Sequence, residues 1–171
     1  MIATGENTPQ NPLDVLTGLR LSIVRKAADM LGLHFGDIRP HHAGRGTVGA
    51  YTLHVQCPWR IGGPKGTITG SDDRWEYVGP GEPPPNWSHE DGPNLQDKRL
   101  DGLFGNCKER IGWVNDNDKF VVSSVRQKDQ GDLKLQFLDD YSISIFPASG
   151  EREAWRFFTP DDEHHLVFPP A

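Results

Sequence analysis

The sequence predicts an α+β domain: a twisted, mostly antiparallel sheet of about six to eight strands with one or two helices packed on it. Residues 51–61 alternate apolar and polar side chains, which is the two-residue period of a strand with one buried face. Between residues 120 and 168, five further extended segments follow one another through short polar connections, as is typical of an antiparallel meander. Apolar side chains at three- and four-residue spacing indicate helices elsewhere.

Size and composition limit the protein class. The 171 residues predict one domain, residues 13–171, preceded by a disordered lead-in over 1–12. A formal charge of −6 gives no electrostatic support to nucleic-acid binding. We expect no membrane association and a cytoplasmic location, because the chain has neither an apolar run of about 18 residues nor a signal-peptide pattern. We expect no cofactor.

Two helices are predicted. The first spans 13–30, where apolar side chains recur at helical steps: Leu16, Leu19, Ile23, Ala27 and Met30. A strand over 31–35 follows it. The second helix spans 94–104 and has Asn94 as a suitable N-terminal cap.

The central predicted strand spans 47–60 and runs antiparallel to the strand before it. Its apolar face carries Leu53 and Val55, and its polar face carries Thr52, His54 and Gln56. Pro58 lacks a backbone donor, so the sheet ladder should weaken just before Trp59.

A proline-rich loop is predicted over 79–93. Its glycines and prolines exclude a helix or an interior strand. The loop is either a functional lid or a flexible insertion, and the usual lengths of loops favour the insertion.

Four residues are candidates for ligand binding: His54, Gln56, Arg60 and Arg156. Each arginine follows a tryptophan, and a tryptophan in the core would direct the next side chain to the polar face. There a guanidinium can bind a carboxylate or a phosphate. Alternatively, each arginine pairs with an acidic residue of a neighbouring loop, such as Asp72, Asp101 or Glu153. The polar face is then exposed to solvent and binds no ligand.

We expect no metal site and no catalytic residue. Histidines 41, 89 and 164 could meet only if separate loops brought them together, and adjacent histidines on an extended chain point to opposite faces. The sequence has no G-x-S-x-G pattern for a nucleophile. Cys57 lies on the apolar face of its predicted strand and should be buried like a small hydrophobic residue, and Cys107 lies in a predicted turn. We expect both thiols to be free.

Three blocks of sequence carry a resemblance to a family: residues 25–36, 53–61 and 133–157. In these blocks the chain resembles a group of small bacterial α+β proteins of unknown function, some of which are similar in outline to immunity proteins of toxin systems. The resemblance implies a cytoplasmic protein with a binding role, and it brings no catalytic residues.

Two functions are therefore expected as alternatives. The first is a protein-binding module, immunity-like in type, whose acidity suits a basic partner. The second is a binder of, or an enzyme acting on, a small polar or anionic ligand at His54, Gln56, Arg60 and Arg156. The second requires those side chains to converge on one cleft.

Overall fold

The computed structural model describes residues 11–44, 46–108 and 111–170, and these residues form thirteen strands and one α-helix. The strands make antiparallel sheets of six and of five strands and a separate two-stranded hairpin. The predicted mostly antiparallel sheet with a helix is confirmed. The expectation of one sheet is wrong, because the strands divide between two sheets that share one hydrophobic core.

The strands are short, and their bounds in chain order are β1 (Leu21–Ala27), β2 (Met30–Phe35), β3 (Arg39–Pro40), β4 (Thr47–Val48), β5 (Tyr51–Val55), β6 (Trp59–Gly63), β7 (Gly66–Gly70), β8 (Trp113–Val114), β9 (Val122–Gln127), β10 (Leu133–Phe137), β11 (Ser142–Ile145), β12 (Trp155–Phe158) and β13 (His165–Phe168). The six-stranded sheet has the order β13-β12-β5-β2-β1-β8, and the five-stranded sheet has the order β7-β6-β11-β10-β9. The hairpin consists of β3 and β4.

The chain passes between the two sheets at Pro58. The predicted strand over 47–60 is thereby divided: β5 lies in the interior of the six-stranded sheet and β6 in the interior of the five-stranded sheet. The predicted weakening of the ladder at Pro58 is confirmed, since residues 56–58 belong to no strand. The antiparallel pairing of β5 with the preceding strand β2 is also confirmed.

The predicted helix over 13–30 is wrong. Pro12–Leu16 form a short 3-10 helix, and β1 and β2 then pair as a hairpin with Ala27 opposite Met30. The helical spacing of apolar residues was misleading because β1 is buried on both sides from Leu21 to Val24, so its side chains show no strand alternation. Of the predicted disordered lead-in over 1–12, residues 1–10 lie outside the described residues.

Helix α1 (Leu95–Phe104) confirms the second predicted helix and its cap. The Asn94 side chain accepts a hydrogen bond from the Asp97 amide at 2.8 Å. Leu100 and Phe104 of the helix join the shared core, and the helix contacts β7 and β8. It therefore covers the core where the two sheets leave it open. No helix among the described residues is long and apolar enough to span a membrane.

Candidate functional site

The six-stranded sheet has a polar side, which we call the outer face because it points away from the shared core. Pairing register places Arg25, Gly32, His54 and Arg156 opposite one another across four adjacent strands. A second row, displaced by two residues along the strands, contains His34, Thr52 and Phe158. The polar face predicted around His54 therefore belongs to a broad surface.

Glu153 binds two of the predicted site residues. Its carboxylate accepts hydrogen bonds from Arg156 Nη2 at 2.7 Å and from Arg156 Nε at 3.0 Å. The same carboxylate accepts from Gln56 Nε2 at 3.2 Å. The hydrogen bonds from Arg156 lower the pKa of Glu153. Of the two alternatives for Arg156, the structure shows pairing with an acid of the neighbouring loop.

Arg60 lies in the other sheet. It is exposed on β6, and its guanidinium carbon is 4.9 Å from the centroid of the Phe146 ring. Gln56 lines a cavity of about 540 Å³ that also contains Glu153 and Met30, whereas His54 lines a different cavity. The four predicted side chains therefore do not converge on one cleft.

Arg25 holds two loops against the outer face. Its Nε donates to the carbonyl of Ile111 at 2.7 Å, and its Nη2 donates to the carbonyl of Thr47 at 2.5 Å. Thr47 begins β4, so this contact holds the β3–β4 hairpin above the sheet. The guanidinium is half-buried and forms no ion pair within the described part of the chain. Burial lowers the pKa of Arg25.

His34 lies beneath the same hairpin and is only 5% exposed. The Gly49 amide donates to His34 Nδ1 at 3.3 Å, and the Thr52 hydroxyl is 3.2 Å from the same nitrogen. On the other side of the ring, Nε2 lies 3.5 Å from Nη1 of Arg25. Burial, together with the charges of Arg25 and His54, lowers the pKa of His34 to about 3. The imidazole is therefore neutral at physiological pH.

A cavity of about 370 Å³ opens on the outer face between the sheet and the hairpin, and we call it the outer notch. Gly32 contributes no side chain at its floor, and a Cβ added there would lie in ordinary van der Waals contact, 3.6 Å from Arg25 Cβ and 3.7 Å from His54 Cδ2. The volume lies within the roughly 300–1,000 Å³ typical of small-molecule sites. The residues that line the notch include Arg25, Gly32, His34, Val48, His54 and Phe158.

A second distinctive surface lies on the side of helix α1, and we call residues 71–93 the acidic aromatic segment. It has six acidic side chains against one arginine, a formal charge of −5, compared with −6 for the whole chain. All of its acidic side chains except Asp73 are exposed. Trp75 is 55% exposed, an unusual state for so large an apolar side chain.

Aromatic contacts give this segment a defined shape, although it contains only one short 3-10 helix, Ser71–Trp75. The ring centroids of Trp75 and His89 are 4.3 Å apart, and those of Tyr77 and Trp87 are 5.5 Å apart, both edge to face. Asn94 Nδ2 donates to the carbonyl of His89 at 2.9 Å, which ties the segment to the cap of α1. The proline-rich loop 79–93 thus folds back onto Trp75 and Tyr77.

Sequence reasoning missed Arg25 and His34. Arg25 lies within the wrongly predicted helix over 13–30 and His34 within the predicted strand over 31–35, and neither is among the four predicted ligand-binding residues. A signal was available, since Ile23 and Arg25 share the two-residue period of a strand. Within the described residues, no group of three or more His, Cys, Asp or Glu side chains could hold a metal ion. Cys57 and Cys107 are both free thiols.

Comparisons with protein-family models, with curated proteins and with solved structures find no match to this chain. The resemblance to immunity proteins therefore stays a prediction. Proposals about function rest on the two surfaces themselves.

Proposed function

We propose that this chain is a protein-binding module of the bacterial cytoplasm whose acidic aromatic segment receives a basic region of a partner protein. The observation that carries the proposal is the exposed indole of Trp75 within a segment that holds nearly all of the net charge. A toxin with a basic surface is one partner of this chemistry, as the resemblance to immunity proteins implies.

Trp75 has the properties of an interface anchor. The guanidinium carbon of Arg74 lies 4.7 Å from its ring centroid, and the His89 ring packs edge to face against it. Arg74 is itself held by an ion pair with Asp29 at 2.5 Å. An indole that is held in place before binding loses little conformational freedom on association. Tryptophan is also among the residues that contribute most to binding at the centres of interfaces.

The charge around the anchor favours a basic partner. Asp72 lies three residues before Trp75 and Glu76 directly follows it, and the contact with His89 brings the chain at Glu90 to the same end of the segment. These carboxylates are exposed, so their attraction acts over about one Debye length, near 8 Å at physiological salt. Such a surface raises the rate of encounter with a basic protein and discriminates against acidic ones.

Affinity capture from bacterial lysate tests the proposal when wild-type protein is compared with two variants. Trp75→Ala removes the anchor, and Leu138→Ala is the matched control because Leu138 is 45% exposed and lies outside the segment. We expect a basic protein to be retained by the wild type and the control and to bind Trp75→Ala about 30-fold more weakly. Capture that is indifferent to Trp75→Ala would refute the proposal.

A charge-matched comparison separates the segment from overall acidity. Changing Glu76, Glu82 and Glu90 to glutamine removes three charges from the segment, while Asp116→Asn, Asp129→Asn and Asp139→Asn remove three from elsewhere. With the purified partner, only the first set should slow association and flatten its dependence on salt. Equal effects of both sets would mean that the segment has no special role.

A further inference from the structure

We propose that the outer notch binds a small organic carboxylate whose body is apolar. This inference is independent of the protein-binding proposal, since no residue of the acidic aromatic segment lines the notch. It also differs from the predicted site at Gln56, Arg60 and Arg156, none of which lines the notch. Of the predicted residues, only His54 takes part.

Two hydrogen-bond donors lie side by side in this notch. The Gly49 amide donates to His34 Nδ1, so the proton of the neutral ring is on Nε2. That N–H group lies 3.5 Å from Arg25 Nη1, which is also a donor. Neither group can accept from the other, and a carboxylate placed beside them would accept from both.

Arg25 is prepared for this role by its other contacts. Nε and Nη2 are fixed by the carbonyls of Ile111 and Thr47, which hold the plane of the guanidinium. Within the described residues, the one hydrogen-bonding neighbour of Nη1 is His34 Nε2, and both Arg25 and His34 line the notch. A positive charge held in place and half-buried attracts an anion more strongly than a mobile lysine in water does.

The walls of the notch select the rest of the ligand. Met30, Val48, Phe158 and Pro160 line it with apolar surface, and the Phe158 ring is positioned by an edge contact with His54 at 4.9 Å between centroids. A bare inorganic anion would leave this surface uncovered. A carboxylic acid with a ring or a branched aliphatic body would bury it while its carboxylate reaches Arg25.

Calorimetric and NMR titrations of the full chain test the proposal with benzoate, benzamide and inorganic phosphate. Benzoate should bind saturably and at least about tenfold more tightly than benzamide, which has the same shape without the charge. Phosphate should bind at least about tenfold more weakly than benzoate. Amide signals of Gly32, His34 and His54 should shift with benzoate.

Two variants complete the experiment. Gly32→Val fills the floor of the notch and should abolish benzoate binding, whereas Arg156→Gln removes an outer-face arginine that does not line the notch and should leave binding unchanged. If Gly32→Val does not fold, the benzoate-induced shifts of the Gly32, His34 and His54 amides in the wild type still test whether benzoate binds in the notch. Equal binding of benzoate and benzamide, phosphate binding as tight as benzoate, or no binding up to about 10 mM benzoate would overturn the proposal.

Discussion

Trp155 of β12 donates its indole N–H to the carbonyl of Gly131 at 2.8 Å, and Gly131 lies in the turn between β9 and β10 of the other sheet. The tryptophan is fully buried, so this bond joins the two sheets inside the protein. Gly131 has φ +87°, and a Cβ on it would lie 2.1 Å from the Phe168 ring. The turn, the indole and β13 are therefore packed as one unit.

Replacing Trp155 with phenylalanine should lower the free energy of unfolding by about 1–3 kcal/mol. The variant leaves the buried carbonyl of Gly131 without a donor and removes part of a packed side chain. Urea denaturation measures the change. Trp75→Phe is the control, because an exposed site should change stability by less than about 0.5 kcal/mol. Equal effects at the two sites would contradict the structural role given to Trp155.

Gly102→Ala should stabilise the protein by about 0.5–1 kcal/mol. Gly102 is exposed inside α1, and an added Cβ would have no heavy atom within 4 Å. Alanine restricts the unfolded chain and favours the helix. Gly105→Ala, three residues later, should instead be destabilising by about 1 kcal/mol, because Gly105 has φ +84°. Thermal unfolding of the two variants should show opposite shifts.

Asn94 is predicted to stabilise both α1 and the acidic aromatic segment. Asn94→Ala removes the acceptor for the Asp97 amide and the donor to the His89 carbonyl, at a cost of about 1–2 kcal/mol. Asn94→Ser keeps a helix cap but loses the bond to His89, so its stability should be intermediate. Chemical denaturation ranks the three proteins, and a serine variant less stable than the alanine variant would contradict this assignment.

Stability should fall as pH drops below about 6.5, with His34 as a major cause. Folding lowers the pKa of His34 from 6.5 to about 3, so within this window the unfolded chain binds more protons than the folded protein. The stability that depends on neutral His34 is roughly 3–5 kcal/mol, and the protein loses it progressively as the pH falls toward 3. Burial lowers the pKa of His54 as well, which acts with the same sign.

The measurement is the free energy of unfolding by urea between pH 7 and pH 5, above the range in which most carboxylates titrate. His34→Gln should reduce the slope of stability against pH. His164→Gln is the control, because the His164 side chain is 96% exposed. An unchanged slope in His34→Gln would show that folding does not lower the pKa of this histidine.

Local patterns were sufficient to predict much of the sheet structure. Alternation of apolar and polar residues identified β10 and β11 among the five extended segments predicted between residues 120 and 168, and in β10 the alternating residues Leu133, Leu135 and Phe137 are buried. The dipeptides Trp59-Arg60 and Trp155-Arg156 also behave as expected, with buried indoles and outward guanidinium groups. The helix cap at Asn94 could be predicted because it depends only on residues that are close in sequence.

The β1–β2 hairpin was not predictable by the same means. Its turn places Ala28 at φ 50°, where glycine or asparagine is the usual signal. In β1 both sides are covered, one by the shared core and the other by the β3–β4 hairpin, so apolar residues lost their alternation. The outer notch depends on the β3–β4 hairpin and on contacts between residues that are distant in sequence. No local sequence pattern predicts such contacts.

The succession of sheets along the chain has a consequence for folding. Strands β1, β2 and β5 are followed by β6 and β7 of the other sheet, then by β8, then by β9–β11, and finally by β12 and β13. No single cut places the two sheets in different fragments, because β6 to β11 lie between the first and last strands of the six-stranded sheet and β8 lies among them. Each layer must wait for segments that are synthesised long after its first strands, which predicts slow assembly dominated by distant contacts.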